Sequence, residues 1–341
     1  MATENYTMTN RLLITGMGGF AGSHILEHFL INTDWDIVGI DSWRHKGTPE
    51  RIEEVLNGHP EWKARVTMIT HDLIAPIPER TQKRIGHIDY IINCAAESHV
   101  ERSIEDPVPF VTNNVAVALN MLEYARTAKP RAYIQISTDE VYGAAPRDTN
   151  HKEWSPIIPS NPYSASKAAQ EDISIAYWRT YGVPVIITNT MNMFGEMQDS
   201  EKYLAKSIRI IHDGGTLTVH GKEGQIGSRY YLHSRNHADA LLYLLENTVP
   251  SMFPESDRPD RYNIVGDQEL TNLEVAQMIA DILGKPLKYE LVDFHSVRPG
   301  HDPRYALDGA KIRALGWKSP LPLKESLERY INWTLKHPIW L

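Results

Sequence analysis

A chain of 341 residues, 42% of them apolar, can bury a large core as one domain or two intimate ones, which excludes a disordered chain. A formal charge of −8 with no basic block excludes nucleic acid and an anionic membrane as main partners, while leaving room for a local phosphate pocket. Cys94 is the only cysteine, so no intrachain disulfide can form, and no N-terminal apolar run resembles a signal peptide or a membrane span; the expected compartment is a reducing cytoplasm.

After a polar start, apolar runs at Arg11–Thr15, Asp36–Ile40, Val66–Thr70, Tyr90–Cys94, Ala132–Ser137 and Val185–Asn189 predict short buried strands. Helical periodicity fills the intervals, most clearly in Phe20–Ile31, Pro107–Lys129 and Asn161–Tyr181. Doubly buried strands alternating with helices predict an α/β fold, a Rossmann-like doubly wound parallel sheet, because parallel neighbours need crossover connections. Beyond Asn192 the pattern becomes irregular, with Gly214-Gly215 and a turn region from Gly221 to Gly227. A helix at Asn236–Asn247 and a strand at Tyr262–Val265 are expected to return to the first domain. Residues 11–192 plus about 229–266 would then form a dinucleotide-binding domain. About 193–228 plus 267–341 would form a smaller, discontinuous C-terminal lobe over the strand ends, where ligands of such sheets bind.

The run Thr15-Gly16-Met17-Gly18-Gly19-Phe20-Ala21-Gly22 follows the first strand and opens the first helix. Glycines at 16, 19 and 22 would permit a tight turn, close approach of backbone to a pyrophosphate, and helix–sheet packing. Asp41 ends the next strand, where a carboxylate can accept both adenosine ribose hydroxyls and repel a 2′-phosphate. NAD is therefore the expected cofactor. Phe20, Asp72, Leu73, Ala95 and Ser137 complete the candidate cofactor set with Tyr163 and Lys167.

Tyr163 and Lys167 stand one helical turn apart and face one side of their helix. A nearby lysine cation favours a phenolate, so Tyr163 could take the proton of a substrate hydroxyl as hydride leaves its carbon. Asp139 and Glu140 stand where the Ala132–Ser137 strand ends. Two carboxylates in different surroundings can divide into an acid and a base, which is what a β-elimination requires. Cys94 reads as a small buried hydrophobe and His99 as a structural residue. The fifteen histidines show no metal-ligand spacing, and no metal is expected.

With these residues assembled, the chain resembles the extended short-chain dehydrogenase/reductases, and within them the dTDP-glucose 4,6-dehydratase group, from about Arg11 to Trp333. The specific signatures are AAESHVERSI (Ala95–Ile104), STDEVYG (Ser137–Gly143), PYSASKA (Pro162–Ala168) and RPGHDPRYALD (Arg298–Asp308). The resemblance implies that Tyr163 deprotonates the glucose 4-hydroxyl as NAD takes the C4 hydride. Thr138 would hydrogen-bond the 4-oxygen, Glu140 would remove the C5 proton, and Asp139 would protonate the departing 6-hydroxyl before hydride returns to C6. Ser98, Asn192, Glu201, Lys202, Arg229, Arg298, His301 and Tyr305 would surround the nucleotide diphosphate sugar. Two segments depart from the group's pattern, Gly227–His233 and Glu196–Ser200, so UDP-glucose is the alternative substrate and 4-epimerisation the alternative reaction. A non-catalytic NAD-binding scaffold would more naturally lack Tyr163, Lys167 or the carboxylate pair. The resemblance also implies a homodimer through the helices at Pro107–Lys129 and Asn161–Tyr181.

Overall fold

A computed structural model describes residues 9–293 and 302–341. Six strands and seven helices alternate through the first half of the chain. The strands are β1 (Arg11–Thr15), β2 (Asp36–Asp41), β3 (Val66–Thr70), β4 (Tyr90–Asn93), β5 (Ala132–Thr138) and β6 (Val185–Thr190). The helices are α1 (Phe20–Asn32), α2 (Pro49–Leu56), α3 (Pro60–Lys63), α4 (Glu79–Ile85), α5 (Val100–Glu105), α6 (Pro107–Ala128) and α7 (Pro162–Tyr181). Each strand predicted from an apolar run is present within a residue of its expected ends, because runs buried on both faces leave little freedom in where pairing stops.

Alternation along β1 shows how the sheet is sandwiched. Leu12 and Ile14 join an apolar cluster with Ile25, Leu26 and Phe29 of α1, while Leu13 joins one with Val117, Met121 and Leu122 of α6 on the opposite face. The order β11-β6-β5-β4-β1-β2-β3 is parallel throughout, with β11 (Asp260–Ile264) paired to β6. Neighbours diverge from β1 toward β2 on one side and β4 on the other, and this switch opens a crevice at the strands' carboxyl ends.

Between β6 and β11 the chain forms β7 (Asn192–Phe194), α8 (Tyr203–His212), β8 (Thr216–Lys222), β9 (Gln225–Ile226), β10 (Ser228–His233) and α9 (Ser234–Asn247). After β11 come β12 (Glu269–Thr271), α10 (Asn272–Leu283), β13 (Lys288–Val292), β14 (Arg304–Tyr305), α11 (Ala310–Ala314) and α12 (Leu323–Lys336). β10 is the hub of a small sheet, bonded to β12, β14 and β7, and β8 pairs with β13 and β9. The turn region expected at Gly221–Gly227 is a hairpin, β8 to β9, whose reversal uses Gly224 at φ +73°. α9 packs into the cluster that α1 lines, and a separate core built on Phe194, Ile208, Val219, Ile279 and Leu327 holds the small sheets to α8, α10 and α12. No helix among the described residues is long and apolar enough to cross a membrane.

Candidate active site

The turn after β1 is built around glycines that admit no side chain. Gly16 has φ +65°, and a Cβ on it would stand 2.9 Å from the Ala95 backbone, while one on Gly22 would strike the Gly16 carbonyl oxygen. α1 begins at this turn with neither a side-chain cap nor an acidic residue in its first turn, so its leading N–H groups face the crevice uncapped. Such an end is a ready anion site. Asp41, 7% exposed at the end of β2, accepts from Gly18 N at 2.9 Å and from Trp43 N at 3.0 Å, fixing its carboxylate beside the turn. Arg44 is engaged elsewhere, 2.9 Å from Asp72 and bonded to Asn113. The close-fitting glycine cradle, uncapped helix end and buried carboxylate suit a dinucleotide.

A single cavity of about 330 Å³ runs from this cradle across the carboxyl ends of the strands. It is lined by Gly16, Gly19, Phe20, Gly22, Asp41, Asp72, Leu73, Ala95 and Ser137 at one end, and by Thr138, Asp139, Glu140, Tyr163 and Lys167 beyond them. Ser98, Asn192, Glu201 and Lys202 also lie on its wall.

β5 ends at Thr138 and breaks into a short 3-10 turn, Asp139–Tyr142, because the Thr138 hydroxyl accepts from Glu140 N at 3.3 Å and donates to Asp139 Oδ1 at 2.8 Å. Asp139 is 4% exposed, and its Oδ2 is buried without a hydrogen-bond partner. Burial, with the charge of Glu140, pushes its carboxyl up to about 7. Burial raises Glu140 as well, against the pull of a hydrogen bond from Asn161, 3.3 Å away, and of the Arg229 and Lys202 charges. Asp139 is therefore poised near neutrality, while Glu140, also raised by burial, has Asn161, Arg229 and Lys202 beside it to favour its anion.

α7 supplies the other two groups. Asn161 accepts from Ser164 N, Ser164 reciprocates to Asn161 N, and Pro162 fills the first turn, so this helix starts at a fixed point one residue before Tyr163. The Tyr163 phenol is pushed up by burial and by the Glu140 and Asp139 charges, with a hydrogen bond from Thr138 acting the other way. Lys167 donates to Ile136 O at 2.7 Å and Gln170 Oε1 at 2.6 Å, leaving one of its three N–H bonds for the cavity. Burial brings its ammonium down to about 8. Tyr163 and Lys167 share a helix face as their spacing predicts, while burial and the two carboxylates hold the phenol up.

Further along, Tyr305 of β14 brings its hydroxyl 3.5 Å from Glu140 Oε2. Arg229 of β10 lies over the Tyr305 ring at 5.6 Å, and its buried Nε has no hydrogen-bond partner. Asn192 likewise has a buried, unpartnered Oδ1. Glu201 is 3.0 Å from Lys46 and 3.4 Å from His99. Arg298 and His301 lie outside the described residues. Cys94 sits in the cavity wall with its thiol pushed up to about 11 by burial, which leaves it protonated and inert.

Sequence reasoning missed the residues that hold this arrangement. Asn161 could have been read as a cap, since Asn-Pro before a periodic run signals a helix start. The pair Glu171–Arg261, buried at 2.8 Å, gives no local signal; through Asn189, which donates to Glu171 and to Thr138 O, it fixes the end of β5.

The family described as GDP-mannose 4,6 dehydratase matches residues 13–330. The low-salt glycan biosynthesis protein Agl12 of Haloferax volcanii is 34% identical over 329 residues, covering 95% of this chain and 98% of that protein. The dTDP-glucose 4,6-dehydratase 1 of Escherichia coli is 33% identical over 356 residues, covering 97% of this chain and 94% of that one. Among solved structures, a double mutant of the Streptomyces venezuelae dTDP-glucose 4,6-dehydratase with NAD and DAU bound superposes with a TM-score of 0.83 at 30% identity, covering 97% of this chain and 98% of that chain.

Proposed function

Because the chain belongs to the GDP-mannose 4,6 dehydratase family and is an NAD-dependent nucleotide-sugar 4,6-dehydratase, we propose that it converts dTDP-glucose to dTDP-4-keto-6-deoxyglucose. The observation that carries the reading is the pair of buried Asp139 and half-buried Glu140 set in one cavity with Tyr163 and the glycine cradle. Transferring a hydride needs only the tyrosine end. A pair of carboxylates with divided protonation is needed to expel water.

When bound against Gly16–Gly22 and Asp41, NAD supplies a reversible hydride acceptor. The residues handle the protons. Tyr163, as its phenolate, removes the proton of the sugar 4-hydroxyl and becomes the phenol, with Thr138 bonded to the same oxygen and the Lys167 ammonium favouring the phenolate beforehand. Once C4 is a carbonyl, the C5 proton is acidic and Glu140 takes it. Asp139, held largely protonated by burial below pH 7, delivers a proton to the departing 6-oxygen. Asn161 and Tyr305 hold Glu140 in place. The diphosphate is met by Lys202 and by Arg229, whose unpartnered Nε is suited to a phosphate oxygen, and Arg298 and His301 complete this set in our reading. In this reading residues 11–192 and about 229–266 form the unit that carries the cofactor and the remaining segments the nucleotide-sugar lobe, with Arg229 of β10 contributing to the sugar side from where the two units join. The enzyme works in the cytoplasm as a homodimer joined through α6 and α7.

UDP-glucose is the second reading, motivated by Glu196 and His233: the two segments that depart from the dehydratase pattern meet there, 3.0 Å apart, at the end of the strand that carries Arg229. The test is incubation with dTDP-, UDP-, CDP- and GDP-sugars while product mass and nicotinamide absorbance are read together. Loss of one water without net NADH from dTDP-glucose is the expected result. Water loss from UDP-glucose alone would replace the substrate, and C4 inversion without water loss would replace the reaction.

A further inference from the structure

Arg51 of α2 is 1% exposed, and a buried guanidinium needs partners for its donors. It has them in three separate stretches. Its Nε donates to Met197 O at 3.0 Å, and its Nη1 donates to Gly18 O at 3.4 Å and to Lys46 O. Its Nη2 is 3.3 Å from Asp199 Oδ1. The glycine turn, the loop between β2 and α2, and the segment after β7 are thus pinned to one cation. Lys46 repeats the link nearer solvent, 3.7 Å from Asp199 and 3.0 Å from Glu201.

The segment pinned by Arg51 is itself stiff. Met197 sits at φ +60°, where a non-glycine residue stays only if its surroundings hold it. Just before it, Glu196 Oε2 is 3.0 Å from His233 at the end of β10 and 3.4 Å from His24 of α1, and its Oε1 is 3.2 Å from Arg235. The same segment places Gln198, Glu201 and Lys202 on the cavity wall. A shift of the glycine turn must therefore move Arg51, and through it the wall of the far end.

We propose that Arg51 is a positioning residue that couples the two ends of the cavity, so that a nucleoside diphosphate held at the far end strengthens retention of NAD at the glycine turn. This rests on the reading of the cavity as a joint NAD and nucleotide-sugar site. Linkage makes the coupling reciprocal. Arginine serves where lysine would not, since the planar fork reaches several carbonyls and a carboxylate at once.

The test follows NAD release from the holoenzyme after dilution into an enzymatic NAD trap, with and without saturating dTDP or UDP, in the wild type, Asp199→Asn and Arg51→Lys. The nucleoside diphosphate should slow release about tenfold in the wild type and less than about threefold in either variant, within the usual range of such couplings. Asp199 is partly exposed, so Asp199→Asn decides the matter if Arg51→Lys does not fold. A role confined to stability would lower the melting temperature and leave the slowing factor at its wild-type value, which overturns the proposal. So does a wild type that binds dTDP or UDP by calorimetry with no change in NAD release. If calorimetry shows neither nucleoside diphosphate binding, the substrate reading falls and the coupling with it.

Discussion

Tyr163, Asp139 and Glu140 share one cavity but are assigned separable steps, and single substitutions should separate them. Tyr163→Phe removes the hydroxyl that takes the 4-hydroxyl proton, and should suppress C4 oxidation while NAD binding, measured by its retention on gel filtration, is largely kept. Glu140→Gln and Asp139→Asn should each slow water loss by about a hundredfold or more, the usual scale for a positioned acid or base. Single-turnover absorbance of the nicotinamide, read with solvent deuterium entering C5, distinguishes them. The Gln variant should form some NADH with little exchange, the Asn variant should exchange with little dehydration, and wild-type rates in both would leave the pair without its assigned role. Asp139 also predicts a pH dependence. Its carboxyl rises from an ordinary 3.8 to about 7, so the folded chain holds a proton that the unfolded chain releases between those values. Stability should therefore fall as pH rises through that window, and the acid limb of catalysis should be lost above about pH 7. Asp139→Asn, free of the buried charge, should melt higher than the wild type at pH 8 and lose that advantage below pH 4.

The elements that aim these residues were legible to different degrees. Six strands of the large sheet could be read to within a residue, because an apolar run carries its own limits, while β11, expected at Tyr262–Val265, begins two residues earlier at Asp260. The same holds for the glycine turn, where spacing alone predicts a cradle too tight for side chains. β7, β10, β12 and β14 could not be read this way. They are two to six residues long, half exposed and paired across great separations, so neither periodicity nor composition marks them. Arg229 and Tyr305 were reached only through family likeness, and their approach to Glu140 depends on those strands. The start of α7 lies between these extremes. Asn161 both caps the helix and donates to Glu140, so Asn161→Ala should lower stability by roughly 1 kcal/mol for the lost cap, measured by denaturant unfolding. It should also lower the dehydration rate more than the rate of C4 oxidation, since Tyr163 keeps its helix and Glu140 loses a partner. Equal losses in both steps would assign Asn161 to the helix alone.

At the scale of the whole molecule, α6 and α7 pack along each other over one face of the sheet and present Leu119, 40% exposed, and Tyr181, 53% exposed, on their outer side. If two copies meet there, Leu119→Arg should shift the protein from dimer to monomer in sedimentation velocity, with the melting temperature becoming independent of protein concentration. An unchanged sedimentation coefficient would move the interface elsewhere.

The placement of Trp340 gives the molecule a timetable. Its ring lies 5.2 Å from the Arg51 guanidinium, closing over the group that holds the glycine turn to the opposite wall. The ribosome therefore delivers the turn first and its cover near position 340. A nascent chain that has emerged only as far as α10 already has all the strands of the large sheet and every glycine of the cradle, yet lacks the aromatic lid over Arg51. Such a chain also lacks α11 and α12, so the tie from Arg51 between the glycine turn and the opposite wall gains its cover only once Trp340 has emerged from the ribosome and packed.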